Sequence, residues 1–251
     1  GKMSTPAPEV SSKRLSWHSY GISDVGKKRK LNEDSMLERV EIGLWAVADG
    51  MGGHHAGDVA SQMIVDSLKK VHEGTNLNRY IDDIEDCILR VNDRLIEKAR
   101  VSDKYTTIGS TVVILLAYEQ YCTYIWAGDS RLYRQRDGKL RQLTTDHSQV
   151  EQYVEQGLIS REEAAGHPHG NMITRAVGAT DTLFLDMDIQ EMKSGDRYLL
   201  CSDGLTKHTI DYEFQDILQE GTVEAACKTL IDLTLSRGAG DNVTAIVVDI
   251  D

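Results

Sequence analysis

Strand-length apolar runs that end or begin at an acidic residue beside glycine or asparagine constrain this 251-residue chain more than any other feature. Ile42 to Ala48 runs into Asp49-Gly50 and a glycine-rich turn, Met51-Gly52-Gly53-His54-His55-Ala56-Gly57. Tyr198 to Ser202 runs into Asp203-Gly204, and Gly240-Asp241-Asn242 leads into Val243 to Val248. Runs at 111-117 and 121-127 have the same length and the same wealth of Val, Ile, Tyr and Trp, as buried strands do. The two are close enough to form an antiparallel hairpin, and Arg131 to Arg134 before Asp137-Gly138 suggests another. Helical spacing is clear from Ile81 through Ile84, Ile88, Val91 and Leu95, and again between Val59 and Val71. A third helix is expected over Val223 to Ser236, with Thr222 as N-cap and Gly238 just past its end. Strict strand-helix alternation is absent, so a doubly wound parallel sheet is disfavoured. Stacked antiparallel sheets covered by helices, an α+β fold, fit the element order better.

There are only three prolines, two of them at Pro6 and Pro8, and no polar low-complexity run follows them. A single domain over 13-251 is therefore expected behind a disordered arm, 1-12, whose Gly1-Lys2 ahead of Met3 reads as a remnant of expression cloning. No apolar stretch reaches the roughly 18 residues of a spanning helix, and no signal-peptide core is present, so a cytoplasmic, monomeric protein without a membrane partner is expected. Cys87, Cys122, Cys201 and Cys227 are scattered and form no Cys-x-x-Cys pair, which favours reduced core thiols over disulfides or zinc. A net charge of -12 argues against nucleic-acid binding, and Lys27-Lys28-Arg29-Lys30 is short enough to be a solvated loop. An insert over 146-178 should carry two short helices, the second opened by a Ser160-x-x-Glu163 capping box. Its end, Gly166-His167-Pro168-His169-Gly170, reads either as a flap beside a site or as an ordinary surface loop.

Asp49, Asp129, Asp203 and Asp241 stand at strand ends, and an early loop adds Asn32-Glu33-Asp34. Carboxylates brought together at about 4 Å would repel by roughly 4 kcal/mol at an effective dielectric of about 20, and a cation resolves this. Carboxylates with carbonyls select hard ions such as Mg2+ or Mn2+, and no His/Cys set with zinc spacing competes. One Asp-Gly alone is only a turn; the repetition carries the weight. Two such ions about 3.5 to 4 Å apart can activate a bridging water and clamp both oxygens of a phosphoryl transfer. An arginine is then wanted for the phosphate, and Arg29 lies three residues before Asn32.

Gly26-x-x-Arg29-x-x-Asn32-Glu33-Asp34, Val47-Ala48-Asp49-Gly50-Met51-Gly52-Gly53-His54, Ala127-Gly128-Asp129-Ser130-Arg131, Cys201-Ser202-Asp203-Gly204-Leu205 and Gly240-Asp241-Asn242-Val243-Thr244 occur in that order. Together they resemble the PPM (PP2C-type) metal-dependent protein Ser/Thr phosphatases in their compact bacterial form. The resemblance implies a four-layer α-β-β-α sandwich, two antiparallel sheets flanked by helix pairs. It implies hydrolysis of phosphoserine and phosphothreonine in proteins by a metal-bridging hydroxide, with a cognate Ser/Thr kinase as a natural partner. By the same resemblance Asp49 would bridge two Mn2+ or Mg2+ ions, with Asp203 and Asp241 completing the first. Glu33 and the Gly50 carbonyl would serve the second, and Asp34 would hold metal-bound water. Asp129 with Asp203 would form a weaker third site, Arg29 would bind the substrate phosphate, and 146-178 would be the family's variable flap. Many eukaryotic relatives carry a histidine, the proposed general acid, directly after the Asp-Gly. Here that position is Met51. His54 and His55 read as polar residues of the turn, and a metal-bound water is the alternative proton donor.

Other chemistries fit less well. Cys-x5-Arg is absent: the sixth residues after the cysteines are Asp93, Gly128, Lys207 and Leu233. Asp186-Met187-Asp188 imitates the haloacid-dehalogenase signature but is followed by Ile189-Gln190 and lies far from the N-terminus. Acids facing solvent between apolar core residues on a strand are the simpler account. A phosphate cradle starting at Gly50-x-Gly52 would need glycine where His55 stands. A non-catalytic phosphoprotein-binding module on the same fold remains the alternative, although such a module usually loses metal ligands.

Overall fold

The computed structural model describes residues 14-52, 56-102, 107-170 and 172-251. The expected arm at 1-12 and the turn residues His54 and His55 lie outside the described residues. In chain order the elements are β1 (Trp17–Asp24), β2 (Asp34–Arg39), β3 (Leu44–Met51), α1 (Ala56–Leu68), α2 (Leu77–Arg100), β4 (Gly109–Ser110), β5 (Val112–Tyr118), β6 (Tyr121–Ala127), β7 (Arg131–Arg136) and β8 (Lys139–Gln142). There follow α3 (Gln149–Glu155), α4 (Arg161–Ala164), β9 (Asp186–Glu191), β10 (Arg197–Cys201), α5 (Asp203–Thr206), α6 (Asp211–Leu218), α7 (Val223–Ser236) and β11 (Val243–Ile250).

The strands form two antiparallel sheets, one in the order β1-β11-β10-β7-β8 and the other β2-β3-β5-β6-β9, with β4 paired to β3. Their long apolar runs have a physical cause: both faces of the central strands are buried. Along β3, Leu44, Ala46 and Ala48 enter a core under α1 and α2, while Trp45 and Val47 enter the core between the sheets. Along β11, Ile246, Val248 and Ile250 meet that middle core, while Val243, Ala245 and Val247 face α5, α6 and α7. Three cores thus bind four layers, with period-2 alternation hidden because each face is apolar. The four cysteines are buried and free within these layers.

Local signals set several boundaries. Thr222 accepts a hydrogen bond from the Ala225 amide and starts α7, and Ser160 with Glu163 forms the capping box of α4. Asp137 and Gly138, with φ of 52° and 73°, turn β7 into β8 as a primed hairpin turn requires. Two expectations need correction. β3 does not stop at Ala48: it continues through Met51 because Gly50 and Met51 pair with Ser110 and Gly109 of β4. On β9, Met187 and Ile189 are not core residues but are each 44% exposed, because this strand closes the edge of its sheet.

Candidate active site

Asp34 and Asp49 face each other across the β2–β3 pair, so one sheet supplies two carboxylates at the same end. The other sheet supplies Asp203, where β10 passes into α5, and Asp241, just before β11. The Ser202 and Thr244 hydroxyls reach across the seam to Asp34 Oδ2 at 2.9 and 2.7 Å. Asp129 follows β6, and its neighbour Ser130 bonds Thr111 Oγ1 at 2.7 Å, which in turn accepts the Asp49 amide at 3.0 Å. Arg131 forks onto Asp146 at 2.9 and 2.8 Å and so anchors the start of the insert.

The early loop is clasped by one side chain. Asn242 Oδ1 accepts the Glu33 amide at 2.9 Å, while Asn242 Nδ2 donates to the Val25 and Leu31 carbonyls at 2.9 and 3.0 Å. Arg29 lies in the loop between them and extends to 3.8 Å from Asp241. Glycine is required where β3 passes the start of α1. A Cβ on Gly50 would strike the Gly57 carbonyl, and one on Gly57 would strike the Glu33 carboxylate. The result is a cleft of about 350 Å3 lined by Arg29, Glu33, Asp49, Gly50, Met51, Asp203, Lys207, Asp241 and, from the insert, Ile173.

Electrostatics mark this place as unsatisfied. Burial pushes the Asp34 carboxyl up to about 6, against the lowering effect of the Thr244 and Ser202 hydroxyls. Burial also raises Asp49, and the charges of Asp34 and Asp203 raise it further. Asp129 is raised by burial and by Asp203 and Asp146, with Lys207 and Arg131 opposing. Among the described residues, Asp34 Oδ1, Asp129 Oδ1 and Asp203 Oδ1 are buried without a hydrogen-bond partner. Orphaned carboxylate oxygens that repel one another fit a cation. The same acids are not drawn into a closed cage, since no three described His, Cys, Asp or Glu side chains are gathered tightly enough to form one. Burial and mutual charge, rather than a preformed cage, single these acids out. Lys207 Nζ instead touches Asp203 at 3.1 Å and Asp241 at 3.2 Å.

Residues 27–233 match the family model described as Protein phosphatase 2C. The chain belongs to the protein phosphatase 2C family. It is 35% identical over 228 residues to the serine/threonine protein phosphatase PstP of Mycobacterium tuberculosis, a match covering 91% of this chain and 44% of that relative. The chain thus spans less than half the length of that protein. Its fold matches PppA, described as a key regulatory component of T6SS in Pseudomonas aeruginosa, with a TM-score of 0.86 and 40% identity over 94% of this chain and 98% of that one. It also matches the catalytic domain of PstP in complex with two manganese ions, with a TM-score of 0.84 and 33% identity over 94% and 99% of the two chains.

In this PP2C chain the cleft gathers Arg29, Glu33, Asp49, Gly50, Asp203 and Asp241. Asp34 and Asp129 are buried and do not line it, but the charge of Asp203 acts on both. The insert reaches the cleft through Ile173, whereas the histidine-bearing stretch around His167 and His169 is not part of its lining. Sequence reasoning missed Lys207, Asn242, Ser202 and Thr244 as parts of the site. Each stands inside or beside a quoted motif, but only contacts between distant segments give them a role: Ser202 and Thr244 to Asp34, Asn242 to the early loop, and Lys207 to Asp203 and Asp241.

Proposed function

We propose that this chain hydrolyses phosphoserine and phosphothreonine in proteins, with two Mn2+ or Mg2+ ions as cofactors. The observation that carries the reading is the convergence of buried, partly unpartnered carboxylates from both sheets beside an arginine in a PP2C fold. Asp49 would bridge the ions, Asp203 and Asp241 would hold the first, and Glu33 and the Gly50 carbonyl the second. Asp34 would act through water, and Asp129 with Asp203 would hold a weaker third ion. Bound there, the ions supply Lewis acidity that lowers the pKa of the attacking water and neutralises charge on the phosphoryl group.

The rest falls to the protein. Arg29, 58% exposed at the mouth, presents its guanidinium fork to the non-bridging phosphate oxygens. Ser202 and Thr244 fix one oxygen of Asp34 and keep that carboxylate oriented. Met51 lines the cleft where it can neither give nor take a proton. Water's oxygen bonds to phosphorus as the bond to the serine or threonine oxygen breaks, and that oxygen leaves with a proton that water gives up, the other staying with the phosphate. The presence of Glu33, Asp49, Asp203 and Asp241 in one cleft, with Asp34 paired to Asp49 beside it, favours hydrolysis over a non-catalytic phosphoprotein-binding module. A Ser/Thr kinase acting on the same proteins would be the opposing enzyme.

Phosphate release from a phosphothreonine peptide in Mn2+ tests the reading. EDTA and Asp49→Ala should each abolish it, and activity that survives both would sink the metal mechanism. Arg29→Ala should raise KM about tenfold to a hundredfold, as loss of a charge-assisted contact worth about 1.5–3 kcal/mol implies, with Mn2+ affinity kept.

A further inference from the structure

Lys207 caps the short helix α5 one turn after Asp203. Its ammonium lies 3.1 Å from Asp203 Oδ2 and 3.2 Å from Asp241 Oδ2, so it joins two acids that are distant in sequence but stand at the same end of the antiparallel β10–β11 pair, one after β10 and one before β11. Both contacts are made by the Oδ2 oxygens. The other Asp203 oxygen has no partner among the described residues, and the other Asp241 oxygen is 3.8 Å from Arg29. Asp129 also feels the Lys207 charge. The lysine side chain is 35% exposed, so its flexible stem can carry the ammonium out to water without breaking a core.

We propose that the Lys207 ammonium is a resident counter-cation of the Asp203–Asp241 pair, and that a divalent ion must displace it to bind these acids. The proposal rests on the reading of Asp203 and Asp241 as metal ligands. An ammonium and a divalent cation that use the same carboxylate oxygens repel each other, so the lysine weakens metal binding. In the metal-free protein the same contact offsets the repulsion between the carboxylates. Lys207 therefore acts as a positioning residue that sets how much free metal the site needs, and it holds the acids in place when metal is scarce.

Mn2+ titration calorimetry and thermal unfolding in EDTA on wild type, Lys207→Met, Lys207→Arg and Asp203→Asn test this. Lys207→Met should bind Mn2+ about tenfold more tightly, the effect of removing one competing ion pair at a partly buried site. In EDTA it should melt about 3 °C lower. Lys207→Arg should restore both values towards wild type, which a role in packing alone would not predict. Wild-type Mn2+ affinity and metal-free melting in Lys207→Met would overturn the proposal. Unchanged Mn2+ binding in Asp203→Asn would instead overturn the ligand reading beneath it, while the EDTA melting arm would still decide whether Lys207 serves as counter-cation.

Discussion

Asn242 is 4% exposed, and its amide makes three hydrogen bonds that hold the loop bearing Arg29 and Glu33 against β11. Asn242→Ala removes all three at once and leaves the Glu33 amide and the Val25 and Leu31 carbonyls to find water. At a net value of about 1 kcal/mol per bond the loss is about 3 kcal/mol. For a domain of this size about 1 kcal/mol shifts the melting temperature by roughly 2–4 °C, so the variant should melt about 6–12 °C lower. Asn242→Asp keeps the acceptor for Glu33 but sets a carboxylate against two carbonyls, so it should be at least as damaging as alanine. Urea unfolding in EDTA isolates the stability effect, and phosphopeptide kinetics in Mn2+ then reads the loop. Because Arg29 lies between the two clasped carbonyls, KM should rise more than kcat falls. A loss below about 1 kcal/mol together with an unchanged KM would show that the amide is not the clasp.

Two further outcomes follow from buried titrating groups. Asp34 holds its proton up to about pH 6, mainly through burial, whereas an unfolded aspartate releases it near the ordinary 3.8. The folded, metal-free protein therefore binds the extra proton between these values. That contribution is present in full below about pH 4 and is lost as pH rises through 6. In EDTA, wild type should lose stability relative to Asp34→Asn between pH 4.5 and 7; parallel urea curves for the two proteins across that range would contradict this. His147 has the opposite sign. Its Nδ1 accepts the Gly128 amide at 2.9 Å, Nε2 then donates to Asp186 at 2.7 Å, and the ring stacks on Trp126 at 6.0 Å. Burial lowers its pKa despite Asp186, so its contribution is complete above about pH 6.5 and lost as pH falls below that. His147→Phe keeps the stack and loses two bonds. It should cost about 2 kcal/mol at pH 7.5, and the gap from wild type should narrow at pH 5.5 if neutral His147 is the stabilising form.

Where a local signal exists, the structure follows it: Thr222 opens α7, Asp137-Gly138 turns a hairpin, and the apolar runs are strands. Where pairing between distant segments decides, the sequence is silent. Nothing near Met51 announces that β4, some sixty residues on, will extend β3 past Asp49. On β9 the alternation of acids and apolar residues was legible but its sense was not. A sheet edge leaves Met187 and Ile189 half-exposed, while Asp186 is engaged by His147 and Arg175 and Asp188 by Tyr124. The candidate site divides in the same way. Its aspartates stand out because acids recur at the ends of apolar runs, but the groups that restrain them do not. Ser202 and Thr244 resemble any strand hydroxyl until the two sheets stack and both reach one oxygen of Asp34. That contact leaves the other oxygen buried and unpartnered, and the β2–β3 register sets it beside Asp49. Buried and half-buried carboxylates this close would ordinarily relax by turning to water. Here the hydroxyls and the close-packed sheets prevent it, so the fold itself maintains the electrostatic debt that a cation can discharge.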